Sequence, residues 1–228
     1  MIPSRSLVLF DIDGTLMRGV GGHHKNALIE GIKNVTGLPT HLDGVSTSGM
    51  LDRDLIAIML RSGGQSDRRI RIVLRRVMEE CQNAFAANCA IDLNPFLCAG
   101  VRETLGRLDR NGAVMGLVTG NLSRIGWQKM ELDGLRTYFS VGAFAEDGTT
   151  RARLARIAAN RAIKQRLVQK NCRISLIGDH PNDVRAAKAN GFQAIAVGTG
   201  LTPMEELRAS EPDVLVRDLN ELDLQKLL

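Results

Sequence analysis

Two aspartates one residue apart, Asp11 and Asp13, stand in the run Asp11-Ile12-Asp13-Gly14-Thr15-Leu16, directly after an apolar stretch. Carboxylates at this spacing, leaving a strand, can point into one cleft as the backbone turns, and Gly14 permits the tight turn. A lone pair of this kind can equally end a strand or cap a helix. What shifts the reading is a second acidic cluster, Gly178-Asp179-His180-Pro181-Asn182-Asp183, which also follows an apolar segment, Ile174 to Ile177. Asn182 or Asp183 can cap the helix that begins there, whereas Asp179 has no such local duty. Three carboxylates in one cleft repel unless a cation sits among them. Mg²⁺ suits this inventory, because it takes one or two carboxylates together with waters and phosphate oxygens. Between the clusters lies Leu117-Val118-Thr119-Gly120-Asn121, another strand ending in a hydroxyl and a glycine. Thr119 can serve as a helix N-cap. In company with the acidic clusters, its hydroxyl and the N–H groups after it form a cradle for phosphate oxygens at a helix N-terminus.

The elements that must hold these residues follow from the apolar pattern. Ser6 to Phe10 reads as a strand buried on both faces. From about His23 to Asn88 the period is helical, with Leu28, Ile32 and Val35 on one face and Ile70, Leu74 and Val77 on another. Gly37-Leu38-Pro39 and Gly63-Gly64 punctuate these helices. Beyond Pro95 the expected order is helix 101–110, strand 113–118, helix 123–133, a short apolar segment 139–144 and a helix over 152–170. Strand 173–177, helix 182–190, strand 193–197, helix 203–209, strand 213–216 and a last helix over 219–227 follow. Alternating strands and helices predict an α/β, Rossmann-like parallel sheet with helices on both faces. Residues 1–18 and 95–228 form that core, and residues 19–94 a small helical insertion over the sheet edge where such folds bind ligands.

Composition narrows the options. A 228-residue chain of net charge +5 can bury one core and a modest insertion. No apolar run approaches the length of a membrane span, and Leu7 to Phe10 is too short for a signal-peptide core, so a cytoplasmic chain is expected. Cys81, Cys89, Cys98 and Cys172 lie far apart without a zinc-type spacing and read as buried free thiols. Arginines cluster at Arg68, Arg69, Arg71, Arg75 and Arg76, but between apolar positions at helical spacing, and one Trp and one Tyr leave bases little to stack on. A solvated helix face is expected, and no nucleic-acid partner. The run Gly19-Val20-Gly21-Gly22-His23-His24 is read as a hinge, with Gly100 near a second one, rather than as a metal site.

The DxDGTL element, a strand ending in Thr119 and the GDxxxD element, in this order, resemble the haloacid dehalogenase-like superfamily. The helical insertion resembles its C1-type cap, and Gly49-Met50-Leu51-Asp52 resembles a segment of phosphoglycolate phosphatase-like members, which makes Asp52 and Arg53 candidates to touch substrate. The resemblance implies that Asp11 is the nucleophile and Asp13 the general acid/base. It implies Mg²⁺ held by Asp11, the carbonyl of Asp13 and Asp179, with Asp183 in support. Thr119, Gly120 and Asn121 would bind the phosphoryl group. The family lysine, often followed by proline, is missing from its usual place about 25 residues before GDxxxD. Arg151 is the expected substitute, with Arg153 behind it, and its planar fork will not act as a lysine point charge does. An acidic second aspartate points to phosphate esters rather than carbon–halogen bonds. The expectation is a phosphatase of small phosphorylated metabolites, monomeric or homodimeric, with a β-phosphoglucomutase-like phosphomutase or a non-catalytic phosphate-binding module as alternatives.

Overall fold

A computed structural model describes residues 3–42, 44, 47–89 and 92–228. Its centre is a sheet of six parallel strands: β1 (Ser4–Phe10), β2 (Val114–Val118), β3 (Phe139–Ala143), β4 (Val168–Gly178), β5 (Gln193–Val197) and β6 (Val214–Val216). Their spatial order is β3-β2-β1-β4-β5-β6. Residues alternate across the sheet along β1. Leu7 and Leu9 join the apolar cluster that includes Leu154, Ala155 and Ala158 of α6 (Arg151–Lys164) and Val184 of α7 (Pro181–Lys188). Val8 and Phe10 join the opposite cluster, with Leu105 and Leu108 of α4 (Val101–Arg110) and Leu222 and Leu224 near the C-terminus. A strand apolar at every position is thus one that feeds two cores. The remaining helices of this layer are α5 (Ser123–Leu132) and α8 (Met204–Ala209).

Strand order reverses around β1, which lies between β2 and β4. The carboxyl ends of these three neighbours carry Asp11, Thr119 and Asp179, so the topology opens its crevice where the three sequence elements end. Helices α1 (Gly21–Thr36), α2 (Asp52–Ser62) and α3 (Asp67–Asn88) intervene between β1 and α4. They pack on one another through Leu28, Ile32, Leu55, Ile56, Val77 and Cys81. Gly31 is needed in α1 because any Cβ there would overlap the Cys81 backbone of α3. The two segments joining this helical unit to the sheet layer run side by side. Arg18 N donates to Phe96 O at 2.8 Å and Cys98 N to Leu16 O at 3.0 Å.

Several details depart from the expectation. The last helix is two separate 3₁₀ turns, Leu219–Glu221 and Leu224–Lys226. Asp218 and Asp223 each accept a hydrogen bond from a backbone N–H two residues on, which starts a new turn each time and breaks a continuous helix. Helix α6 stops at Lys164 because Arg166 takes a positive φ of 58° and turns the chain into β4, which begins five residues earlier than its apolar core suggests. Gly100 follows the paired connectors by two residues. It is the residue before α4 and packs against the Leu219–Asn220 backbone. Of the four cysteines only Cys81 and Cys89 are buried; Cys98 and Cys172 are half-buried. Among the described residues no helix is long and apolar enough to cross a membrane.

Candidate active site

Strand β1 carries Asp11 to the crevice, where its N–H donates to Ile177 O at 2.9 Å. The next turn places Gly14 at a φ of 92°, and its backbone lies against Asp179 so closely that a Cβ would overlap the carboxylate. Gly200 walls Asp179 in the same way from the β5 side. Asp183 reaches the crevice from the first turn of α7. One of its oxygens accepts from His180 N at 3.2 Å, completing a reciprocal cap in which His180 Nδ1 accepts from Asn182 N. The N-cap is therefore His180, and Asn182 instead donates to Gly49 O of the helical unit at 2.9 Å.

Asp11, Asp179 and Asp183 each offer a buried carboxylate oxygen, and these oxygens lie within 4.8 Å of one another. Burial, reinforced by the charge of Asp11, pushes the Asp179 carboxyl well above the usual carboxylate range. Burial does the same to Asp183, against the pull of Arg151. Arg151, the first residue of α6 and only 7% exposed, supplies the one cation in contact with this cluster among the described residues. Its Nη1 donates to Asp11 Oδ1 at 2.8 Å and to Val118 O at 3.1 Å, and its Nε stands 3.2 Å from Asp183 Oδ1. That last pair is close but misaligned, so Asp183 Oδ1 is buried with no aligned donor. Arg153 is exposed, and its backbone N–H bonds the Thr150 cap.

An all-oxygen donor set, more negative than its single arginine offsets, with an orphaned acceptor at its centre, fits a hard divalent cation such as Mg²⁺. Asp13 contributes differently. Its carboxylate is not part of this acidic cluster but is held by Asn121 Nδ2 at 2.7 Å and by Lys129 Nζ at 2.7 Å to both oxygens. Burial opposes the charged form of Asp13, and Lys129, His24 and Asn121 together more than offset it, so this carboxyl sits below the usual range. Thr119 Oγ1 accepts from Asn121 Nδ2 at 3.0 Å, which ties the end of β2 to the same group. Gly120 is needed because the Met50 carbonyl of the helical unit lies where its Cβ would be.

Lys129 was not anticipated from sequence, although α5 carries a signal. It falls in the helix's inward stripe, among Ile125, Gly126 and Met130, and is itself 0% exposed. His24 and Asp52, which also line the cleft, join Lys129 in one network. His24 Nε2 lies 2.8 Å from Asp52 Oδ2, its Nδ1 lies 3.3 Å from Lys129 Nζ, and Asp52 accepts from Leu122 N at 2.8 Å. Arg53 makes a long contact to Gly148 O and pairs with Asp54 at 3.7 Å, and it is not among the residues that line the cleft. Together these groups enclose about 450 Å³, with Asp11, Thr119 and Asp179 on the sheet side and Leu28, Met50 and Leu55 facing them from the helices. The arrangement brings a buried carboxylate able to act as a nucleophile, oxygens able to hold a cation and a second carboxylate able to exchange a proton to one cleft.

Residues 8–197 match the profile of the haloacid dehalogenase-like hydrolases. The chain is 28% identical over 223 residues to a phosphoglycolate phosphatase of Vibrio parahaemolyticus, covering 95% of this chain and 93% of that one. A second phosphoglycolate phosphatase, from Salmonella choleraesuis, is 30% identical over 127 residues, which span half of its length. Among solved structures, a β-phosphoglucomutase from Clostridium difficile superposes with a TM-score of 0.71 at 17% identity, covering 98% of this chain and 95% of that one, a likeness of fold. With the three sequence elements converging on one crevice and the profile spanning most of the chain, the protein belongs to the haloacid dehalogenase-like hydrolases.

Proposed function

We propose that this protein is a phosphatase that hydrolyses small phosphomonoesters through an aspartyl-phosphate at Asp11. The observation that carries the reading is the buried carboxylate of Asp11, set among Asp179, Asp183 and Arg151 at the mouth of a cleft of metabolite size. In the first displacement an Asp11 oxygen bonds to phosphorus as the ester P–O bond breaks, and Asp13 gives its proton to the leaving oxygen. In the second, Asp13 takes a proton from a water molecule that bonds to phosphorus, and the Asp11 carboxylate leaves. A carboxylate nucleophile needs no base to activate it, and the detour replaces one hard step with two easier ones.

Arg151 and the cradle of Thr119, Gly120 and Asn121 would hold the phosphoryl oxygens, because phosphoryl transfer depends chiefly on positioning and charge neutralisation. Asp11, Asp179 and the Asp13 carbonyl would hold Mg²⁺, with Asp183 in support, and the bound ion would offset the charge on phosphoryl oxygens and carboxylates together. Asp13, as paired with Lys129 here, is favoured in its carboxylate form, the one that the second displacement uses. Residues 19–94 would act as the cap that excludes bulk water, over a core of 1–18 and 95–228. Sealing by the cap favours small phosphorylated metabolites, phosphoglycolate-like in size, and free cysteines suit a cytoplasmic setting.

The test is phosphate release from a panel of small phosphomonoesters, with and without Mg²⁺, with Asp11→Asn as control. Mg²⁺-dependent release that disappears in the variant is expected. A phosphoenzyme that outlives many solvent exchanges and passes its phosphoryl group to a sugar would replace hydrolysis with mutase chemistry.

A further inference from the structure

Lys129 is a lysine with no access to water, on a helix whose neighbouring positions are apolar. A buried ammonium is tolerated only when its donors are matched. Here each of its three protons has a separate taker. Asp13 receives one, through oxygens both at 2.7 Å. Asn121 Oδ1, at 2.8 Å, receives the second. The third faces His24 Nδ1 at 3.3 Å. Because an ammonium only donates, Nδ1 must accept, which leaves the ring proton on Nε2. That nitrogen lies 2.8 Å from Asp52 Oδ2, so the proton is donated there. Asp52 in turn accepts the Leu122 N–H at the start of α5, the helix that carries Lys129.

The elements involved give this chain its meaning. His24 is on α1 and Asp52 on α2, both in the helical unit, while Lys129, Leu122 and Asn121 belong to the sheet layer. Asp52 also donates its own N–H to Gly120 O at 2.8 Å. The side-chain hydrogen bonds that link the helical unit to the Asp13 carboxylate run through Lys129, while Asp52 also holds the backbone on either side of Asn121, the other donor to Asp13.

We propose that Lys129 is the positioning residue that couples seating of the helical unit to the orientation of Asp13, through the order Asp52–His24–Lys129–Asp13. The proposal rests on the phosphatase reading above for its effect on turnover, but the linkage itself is a matter of hydrogen bonding. With the helical unit seated, Lys129 is held from both sides and keeps both Asp13 oxygens in one plane, with Asn121 bracing the second oxygen. With the unit displaced, the ammonium loses His24 and the carboxylate is free to turn. The acid/base group is thus held most firmly when the helical unit is seated, which limits the exposure of the aspartyl-phosphate to an unpositioned solvent attack.

The test uses the full chain and four variants, Lys129→Met, Lys129→Ala, His24→Ala and the double variant Lys129→Met with His24→Ala, each checked for wild-type circular dichroism. Lys129→Met fills the same space without donors. It is expected to lower kcat about 100-fold while KM moves less than about threefold, the split expected of a group that acts in the transition state. His24→Ala should lower kcat less, and the double variant should fall well short of the product of the two losses, because both act through one chain. Ethylammonium should restore part of the activity of Lys129→Ala, while tetramethylammonium, a cation with no donor, should not. A purely structural lysine would show neither the split nor the selective rescue. Independently of turnover, nitrogen-15 spectra of wild type should show His24 with its proton on Nε2, and the Nδ1 signal should shift in Lys129→Met. A proton on Nδ1 in wild type, an unmoved signal in the variant, or additive losses would overturn the linkage. Absence of Mg²⁺-dependent phosphate release from wild type would instead overturn the phosphatase reading, and the spectra would still decide the linkage.

Discussion

Replacing Arg151 separates its two duties, because the same guanidinium both neutralises buried carboxylates and faces the proposed phosphoryl site. It contacts Asp11 at 2.8 Å and Asp183 at 3.2 Å with almost no access to water. At an effective dielectric of about 20, each contact is worth roughly 5–6 kcal/mol of gross attraction, most of which offsets the desolvation of the three groups. Removing one partner leaves that desolvation uncompensated, and the expected loss for Arg151→Met is about 3–5 kcal/mol. For a chain of this size, such a loss lowers the melting temperature by roughly 10 °C. Arg151→Lys keeps the charge near Asp11 but cannot span Asp11, Asp183 and the Val118 carbonyl with one head group. About half of the loss is expected for it.

Mg²⁺ supplies an independent positive charge to the same carboxylates, so saturating Mg²⁺ should raise the melting temperature of Arg151→Met more than that of wild type. In activity, loss of a donor aimed at a transferring group costs about 10²–10³ in kcat. Lysine at position 151 should recover all but about tenfold of it. Calorimetry with and without Mg²⁺, run beside phosphate-release kinetics, reads both effects. If Arg151→Met melts within 2 °C of wild type (roughly half a kcal/mol) and turns over normally, the arginine neither balances the acidic cluster nor serves the phosphoryl group.

Asp133, at the end of α5, is buried with one oxygen unpartnered, and burial raises its carboxyl to about 7 from the model-compound value of 3.8. Its folded-state value lies above the unfolded one, so the stability it contributes is complete below about pH 4 and is lost as the pH rises towards 7. The slope approaches about 1.4 kcal/mol per pH unit in that window and flattens above it. Thermal melts of wild type from pH 5 to 8 should show this decline, and Asp133→Asn should be flatter; parallel curves would remove Asp133 as the cause. Gly120→Ala sets a methyl group against the Met50 carbonyl, which is backbone and cannot swing aside. The helical unit should then sit away from the sheet, lowering kcat/KM about 100-fold and exposing residues 47–51 to proteases, while a wild-type digestion pattern and rate would count against it.

The layout of the site was legible because each part of it ends an apolar strand. Leu7 to Phe10, Val114 to Val118 and Ile174 to Ile177 are runs that only a sheet covered on both faces can bury, and the residue that follows each run is forced to the crevice edge. Arg151 could be placed only through the family resemblance, because it stands where the usual lysine precedes the GDxxxD element. The C-terminal turns were misread because the apolar positions from Leu219 to Leu227 satisfy helical spacing, while the aspartates at 218 and 223 set the hydrogen bonds. Lys129, His24 and Asp52 escaped for a different reason. They are separated by up to 105 residues, and only tertiary packing brings them together. Yet Lys129 carried a warning, since a lysine at an apolar stripe position of a short helix must be matched or expelled. On a helix that starts at the crevice edge, the acid in reach is Asp13, which Asn121 alone would leave without a cation. A charged residue on the wrong face of a helix next to a carboxylate cluster is therefore better read as a member of that cluster than as an error in the helix.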